Sequence, residues 1–258
     1  MNTVTRFSPC ADTDMPLDVL ARYNSYFRTQ RADTPARIRA AQAIRYQVYC
    51  LERKFEDEAE HGDGLERDAF DSAAVHALLI HRPTGDAIGT ARLIPLNSSE
   101  ALQPIRQLLR ENGLRTRDYV PLATTAEISR FAISNRFRRR SGDNEAVRRS
   151  KECRSNLPCL GLIQELLRQS KARGLTHWAA VMEPKLLRML AAMGIHFTPV
   201  GPLVSHHGLR QPSICRLSDM LERLGREHPE NWMVVTEGGA LVPDAAPEHL
   251  APDERRAA

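Results

Sequence analysis

Two different periods of hydrophobic and polar residues run along this chain, and each change of period marks an element. Over residues 35–54, "PARIRAAQAIRYQVYCLERK", Ile38, Ala41, Ile44, Val48 and Leu51 recur at steps of three and four, which predicts an amphipathic helix. The next stretch, "FEDEAEHGDGLERDAFD", is acidic, holds two glycines and lacks a periodic apolar face, so it reads as a loop. Residues 75–82, "VHALLIHR", and 87–95, "AIGTARLIP", read as strands; Pro83 and Gly85 in the intervening "PTGD" suit a turn, which makes a hairpin. "PIRQLLREN" predicts a short helix stopped by Gly113, and "TTAEISRFAIS" (124–134) a further strand.

Downstream, Asn156 at a cap position, Pro158 in the first turn, a buried face of Leu160, Ile163, Leu166 and Leu167, and Gly174 as the stop predict a second long helix. "THWAAVME" is a strand, "PKLLRMLAAMG" a helix opened by Pro184 and closed by Gly194, and "HFTPVGPLV" and "SICRLS" are late strands. Helix, hairpin, strand, helix, strand, helix, strand is the order of an α/β (α+β) fold, a sheet with helices on its faces. The expected organisation is an N-terminal extension over 1–25, one domain over 26–230 and a C-terminal segment over 231–258. The closing "VPDAAPEHLAPDERRAA", rich in Pro, Ala and charge, predicts disorder after residue 240.

Composition changes this picture little. At 258 residues, 42% hydrophobic and 26% charged, the chain can bury a substantial core. No apolar run approaches the roughly 20 residues that cross a bilayer. The N-terminal "MNTVTRFSPCADTDMP" has no basic-then-apolar signal pattern, so the expected location is the cytoplasm. Cys10, Cys50, Cys153, Cys159 and Cys215 are odd in number without a CxxC pair, which argues against a disulfide framework or a zinc site. Cys153 and Cys159 have no evident activating partner. His206 and His207 are adjacent, poor geometry for a shared metal, and no metal is expected.

Charge placement says more than the net charge of +4. Arg136, Arg138, Arg139, Arg140, Arg148, Arg149, Lys151 and Arg154 crowd one stretch, against Asp143, Glu145 and Glu152. Such a run is either a solvated face or a docking patch for an anionic partner. Phe137 is the only aromatic residue there, so stacking on nucleic-acid bases is the weakest option. Arg92 and Arg130 interrupt strands that otherwise want burial, and an unpaired buried charge is costly. They demand carboxylate partners, for which Asp68, Asp71 and Glu127 are the natural candidates.

These pieces together resemble the acyl-homoserine-lactone synthases and their relatives, the N-acyl amino acid synthases and exosortase-associated acyltransferases. The pieces are "RYQVYCLERKF", with Arg45 followed by Tyr49 at plus four and Phe55 at plus ten; "DAFD", with Asp68 and Asp71; "GTARLIP", with Arg92; and "EISRF", with Glu127, Arg130 and Phe131. The likeness spans about residues 35–200. It departs from the family at Phe55, where tryptophan is usual, and in the long arginine-rich stretch after "EISRF". It implies the GCN5-related N-acyltransferase fold, a central mixed twisted sheet with helices on both faces. It also implies acyl transfer from an acyl-carrier-protein thioester to an amine, with no resident cofactor beyond the donor's phosphopantetheine.

That chemistry needs a proton acceptor beside the amine and donors for an oxyanion. Glu127 is the candidate base; its plainer role would be to neutralise Arg45 or Arg130. Since strand side chains alternate faces, Glu127 and Arg130 share a site only if the strand bulges between Ile128 and Phe131. Arg136, Arg138, Arg139 and Arg140, with Phe131 and Ile133, are the expected donor and carrier-protein contacts, because arginines pair with carboxylates and phosphate. With Gly142 the only glycine in that stretch, a glycine-rich pyrophosphate cradle is missing, which disfavours acetyl-CoA. Leu160, Ile163 and Leu167, with Trp178 or Val181, are either an acyl slot or plain core. Three readings follow: an N-acyl amino acid synthase, a lactone synthase using S-adenosylmethionine, or a non-catalytic binding module.

Overall fold

In the computed structural model, residues 16–96, 104–135, 156–205 and 208–243 are described. They form α1 (Pro16–Tyr26), β1 (Phe27–Ala32) and α2 (Pro35–Arg45), which runs on as a π-helical turn over Tyr46–Glu52. β2 (Val75–His81) and β3 (Ala87–Pro95) make the expected hairpin, with Gly85 at φ +73°, a value that glycine adopts freely. Then come α3 (Pro104–Glu111), β4 (Thr125–Ile133), α4 (Leu157–Lys171), β5 (His177–Met182), α5 (Pro184–Ala191), β6 (Thr198–Pro199), β7 (Val204–Ser205), β8 (Leu209–Arg216), α6 (Leu217–Glu227) and α7 (Pro229–Val235).

The strands form one eight-stranded sheet in the order β1-β2-β3-β4-β5-β8-β6, with β7 paired to β8. β4 and β5 are its parallel pair; its other pairs are antiparallel. Both faces are covered. On one, α4 packs Leu160, Ile163, Leu166 and Leu167 against Leu79, Leu93, Ile128 and Trp178. On the other, α2 and the π-helical turn set Ala41, Ile44 and Val48 over Leu78, Ile80 and Ala132, and α3 sets Ile105 and Leu109 over Leu96 and Ala179. Burial on both faces is why β2 is apolar throughout and not alternating.

Several elements carry weak sequence signals. β1 is "FRTQRA", an edge strand in which Phe27 and Ala32 alone are buried. α1, α6 and α7 carry no such signal, yet their Val19, Tyr23, Leu221, Leu224, Val234 and Val235 enter the α4-side core. Asn156 occupies the cap position of α4 but makes no capping bond, because its own backbone is already helical at φ −80° and ψ −4°. Of the expected "HFTPVGPLV" strand only two short pieces form, whereas β8 begins four residues before "SICRLS". Among the described residues, no helix is long and apolar enough to cross a membrane.

Candidate active site

β4 departs from a regular strand where the site is built. Opposite β3, Ser129 pairs with Arg92 and Ala132 with Thr90, so Arg130 and Phe131 together face Ala91. That extra residue is the expected bulge. Arg130 has φ +51°, a conformation rare for a residue with a side chain. The consequence can be followed residue by residue. Before the bulge Ala126 and Ile128 face α4; after it Phe131 and Ile133 do so. Ser129 and Arg130 consequently both turn to the α2 face, where Glu127 already lies.

On that face three arginines meet four carboxylates. Arg45, fully buried on α2, donates from Nε to Glu66 Oε2 and from Nη1 to Asp71 Oδ1 at 2.6 Å. Arg92 engages Asp68 with both Nη atoms (2.5 and 2.8 Å), reaches Asp71 Oδ1 at 2.6 Å and donates from Nε to Ser129 Oγ at 2.9 Å. Arg130 places Nε and Nη2 on Glu66 Oε1 at 3.1 and 2.8 Å, with Asp68 at 3.2 Å and Glu56 at 3.3 Å. Its guanidinium also stands 5.5 Å from the Tyr49 ring centroid. Pairing of this kind makes the burial of Arg45 and Arg92 tolerable, although Arg45 Nη2 is left without a partner among the described residues.

The acids answer electrically. Burial alone would raise the Asp68 carboxyl, but the bonds and charge of Arg92, with Arg130 and Arg45 behind, bring it down to about 2. Glu66 and Asp71 are likewise held below the ordinary carboxylate range by their arginines, against burial. His76 approaches the Asp71 backbone oxygen through Nε2 at 3.3 Å; burial lowers its pKa and favours the neutral ring.

Glu127 behaves differently. It makes no ion pair with Arg45 or Arg130, which corrects the plainer role expected for it, because Glu66 already serves both. Its Oε2 accepts the Ile105 N–H at the start of α3 at 3.1 Å. Burial pushes its pKa up to about 8, against the Ile105 N–H and the Arg92 charge. Such a carboxyl exchanges protons near neutral pH.

Glu127 and Arg130 open onto one cleft of about 210 Å³. It exists because β4 and β5 part: their parallel pairing ends at Ile128 and Ala180. Ser129 to Ile133 line one wall and Val181, Met182 and Leu186 the other, with Tyr49, Phe55 and Arg210 at its edge. Phe131 and Ile133 therefore lie on the cleft wall.

Other expected residues lie elsewhere. Leu160, Ile163, Leu167 and Trp178 do not line the cleft: all are sealed in the α4-side core, and Trp178 donates to Ser170 Oγ at 2.9 Å. They pack between α4 and the sheet, and Val181 is the member of that set on the cleft wall. Arg136, Arg138, Arg139, Arg140, Cys10, Cys153, His206 and His207 lie outside the described residues. Among the described residues Cys50 and Cys215 form no disulfide, and no cluster of three His, Cys, Asp or Glu side chains suits a metal. Glu66 was not anticipated, since "GLERDAFD" reads as an aperiodic loop. The available signal was proximity in the chain: Glu66 stands two residues before Asp68 in the stretch that already offered partners to the arginines.

A family model described as an acetyltransferase (GNAT) domain matches residues 44–147, the stretch that holds the whole charge cluster. No curated protein matches significantly. Solved structures do. TofI, in a ternary complex with an inhibitor and MTA, is 23% identical over 72% of this chain and 89% of its own, with a TM-score of 0.51. FeeM, an N-acyl amino acid synthase from uncultured soil microbes, is 15% identical over 76% and 93%, with a TM-score of 0.50. MesI, a CoA-dependent acyl-homoserine lactone synthase, is 18% identical over 79% and 95%, with a TM-score of 0.51. Parallel β4 and β5 that part beside a bulge, the domain match and these likenesses agree: the chain has the GCN5-related N-acyltransferase fold.

Proposed function

We propose that this chain is an N-acyltransferase that moves a long-chain acyl group from an acyl-carrier-protein thioester to the amine of an amino acid or related small molecule. The observation that carries the reading is Glu127: a buried carboxyl, without an ion pair to the arginines around it among the described residues, lining a cleft between two parting strands.

In this reading the thioester enters between β4 and β5. The amine nitrogen attacks the carbonyl carbon and passes its proton to Glu127, directly or through a water. Arg130 and Phe131 have no register partner on β3. Their N–H groups are the candidates to receive the oxyanion. Collapse breaks the C–S bond, the thiolate takes up a proton and the amide departs. The arginine–acid cluster fixes the bulge and sets the field around Glu127.

The choice of carrier protein over CoA rests on Arg136, Arg138, Arg139 and Arg140, a density of arginine suited to an acidic protein. MesI, of the same fold, is CoA-dependent. The test is to offer palmitoyl-carrier protein and palmitoyl-CoA in parallel with an amino-acid mixture, with and without S-adenosylmethionine, and to read products by mass spectrometry. N-acyl amino acids from the carrier protein support the proposal. Lactones formed only with S-adenosylmethionine, or a preference for the CoA thioester, would replace it with a lactone synthase or a CoA-dependent enzyme.

A further inference from the structure

Where β4 parts from β5, no strand pairs with that side of β4 from Ser129 onward among the described residues, while β5 continues against β8 as far as Met182. Backbone groups on an abandoned flank need other partners. Two of them find partners in one short element. Tyr49 Oη donates to the carbonyl of Phe131, within the bulge, at 3.2 Å. Glu52 takes the Asn135 N–H on both carboxylate oxygens at 3.0 Å each, and the Ser134 hydroxyl at 3.0 Å. Gln47 Nε2 steadies Glu52 at 3.0 Å.

Tyr49 and Glu52 stand on the π-helical turn Tyr46–Glu52, whose wide loop is closed by Arg53 N–H on Val48 O at 2.9 Å. π-Helical turns are rare and recur at functional sites. Burial raises the Tyr49 pKa, so its hydroxyl stays a donor. Its ring is the surface on which the Arg130 guanidinium rests. The turn thus touches β4 at the bulge and again at its exit, where the basic segment begins.

We propose that Tyr49 and Glu52 are positioning residues: they replace the missing β5 neighbour of β4 and hold the cleft wall at the spacing a pantetheine thioester arm requires. The nature of the ligand rests on the acyl-transfer reading; the bracing of the strand rests on the geometry alone.

Hydrogen exchange of peptides spanning residues 129–135, in the parent chain and in Tyr49→Phe, Glu52→Gln and Glu52→Ala, tests the bracing. Binding of a ketone analogue of decanoyl-pantetheine, inert to transfer, tests the positioning. In Glu52→Ala, exchange in 129–135 is expected to quicken about tenfold while α4 and β2 stay protected, the scale of one charge-assisted hydrogen bond. Its analogue Kd is expected to rise by a similar factor. Glu52→Gln, which keeps one acceptor oxygen, should fall between. Unchanged exchange in both Tyr49→Phe and Glu52→Ala overturns the bracing, and faster exchange with unchanged analogue affinity overturns the positioning role. A parent chain that ignores the analogue overturns the thioester reading of the cleft, and exchange still decides whether the strand is braced.

Discussion

Arg130 reaches Glu66 by leaving the regular strand: a φ of +51° turns it to the face of Glu127, where Nε and Nη2 close on Glu66 Oε1 at 3.1 and 2.8 Å. A left-handed arginine costs on the order of 1–3 kcal/mol and persists only where its surroundings over-determine it. Glu66 does much of that, since it also holds Arg45. Glu66→Ala should therefore destabilise the fold by about 3–5 kcal/mol, because two arginines lose a buried partner at once. Urea unfolding checks this; a loss under about 1 kcal/mol would mean that the cluster behaves like surface pairs.

Glu127→Gln should leave stability near neutral pH little changed and remove its pH dependence. The folded carboxyl keeps its proton up to about pH 8, well above the ordinary carboxylate range. Between those values the folded state binds more protons than the unfolded chain, so this group's contribution weakens stability as pH rises and levels off beyond 8. Glu127→Gln should abolish that slope. Unfolding free energies measured from pH 5 to 9 check the sign.

In the proposed reading the same group sets the rate profile. Only the carboxylate accepts a proton, so turnover should climb with pH through about 8. Glu127→Gln should lower the plateau by roughly 10²–10³-fold and remove the limb. A limb that persists in the variant would belong to the amine's own ionisation.

The site was legible in the sequence to the extent that charge could be seen in apolar surroundings. Arg92 and Arg130 stood out within strands, and the spacing of Glu127 and Arg130 forced the bulge, since period-two alternation would otherwise part them. Glu66 was hidden because a loop has no period against which an acid looks misplaced. β1 was hidden because an edge strand can be polar. Leu160, Ile163, Leu167 and Trp178 show the converse: an apolar helix face is the same in sequence whether it meets a ligand or a sheet. Here the close approach of α4 decides, for a Cβ on Gly161 would sit 2.6 Å from Tyr23 Oη and 2.9 Å from Leu79 Cδ1.

That approach gives a prediction about packing alone. Gly161→Ala should cost about 1–3 kcal/mol through overpacking, with Tyr23 or Leu79 forced aside. Thermal melts check it; an unchanged melting temperature would mean that α1 is free to shift.

The basic segment can be tested without knowing its shape. Arg136→Glu together with Arg138→Glu should raise the KM for acyl-carrier protein on the order of tenfold or more, while sparing kcat and the melting temperature. A KM that stays in place would remove these arginines from docking.

The most direct test of acyl transfer in the cleft is to follow the new bond itself. Palmitoyl-carrier protein is incubated with a mixture of ¹⁵N-labelled amino acids, and the products of the parent chain and of Glu127→Gln are weighed by mass spectrometry. The account requires an amide carrying both the palmitoyl chain and the ¹⁵N label, falling at least about a hundredfold in the variant. Intact thioester, free fatty acid alone, or equal amide from both chains would contradict it.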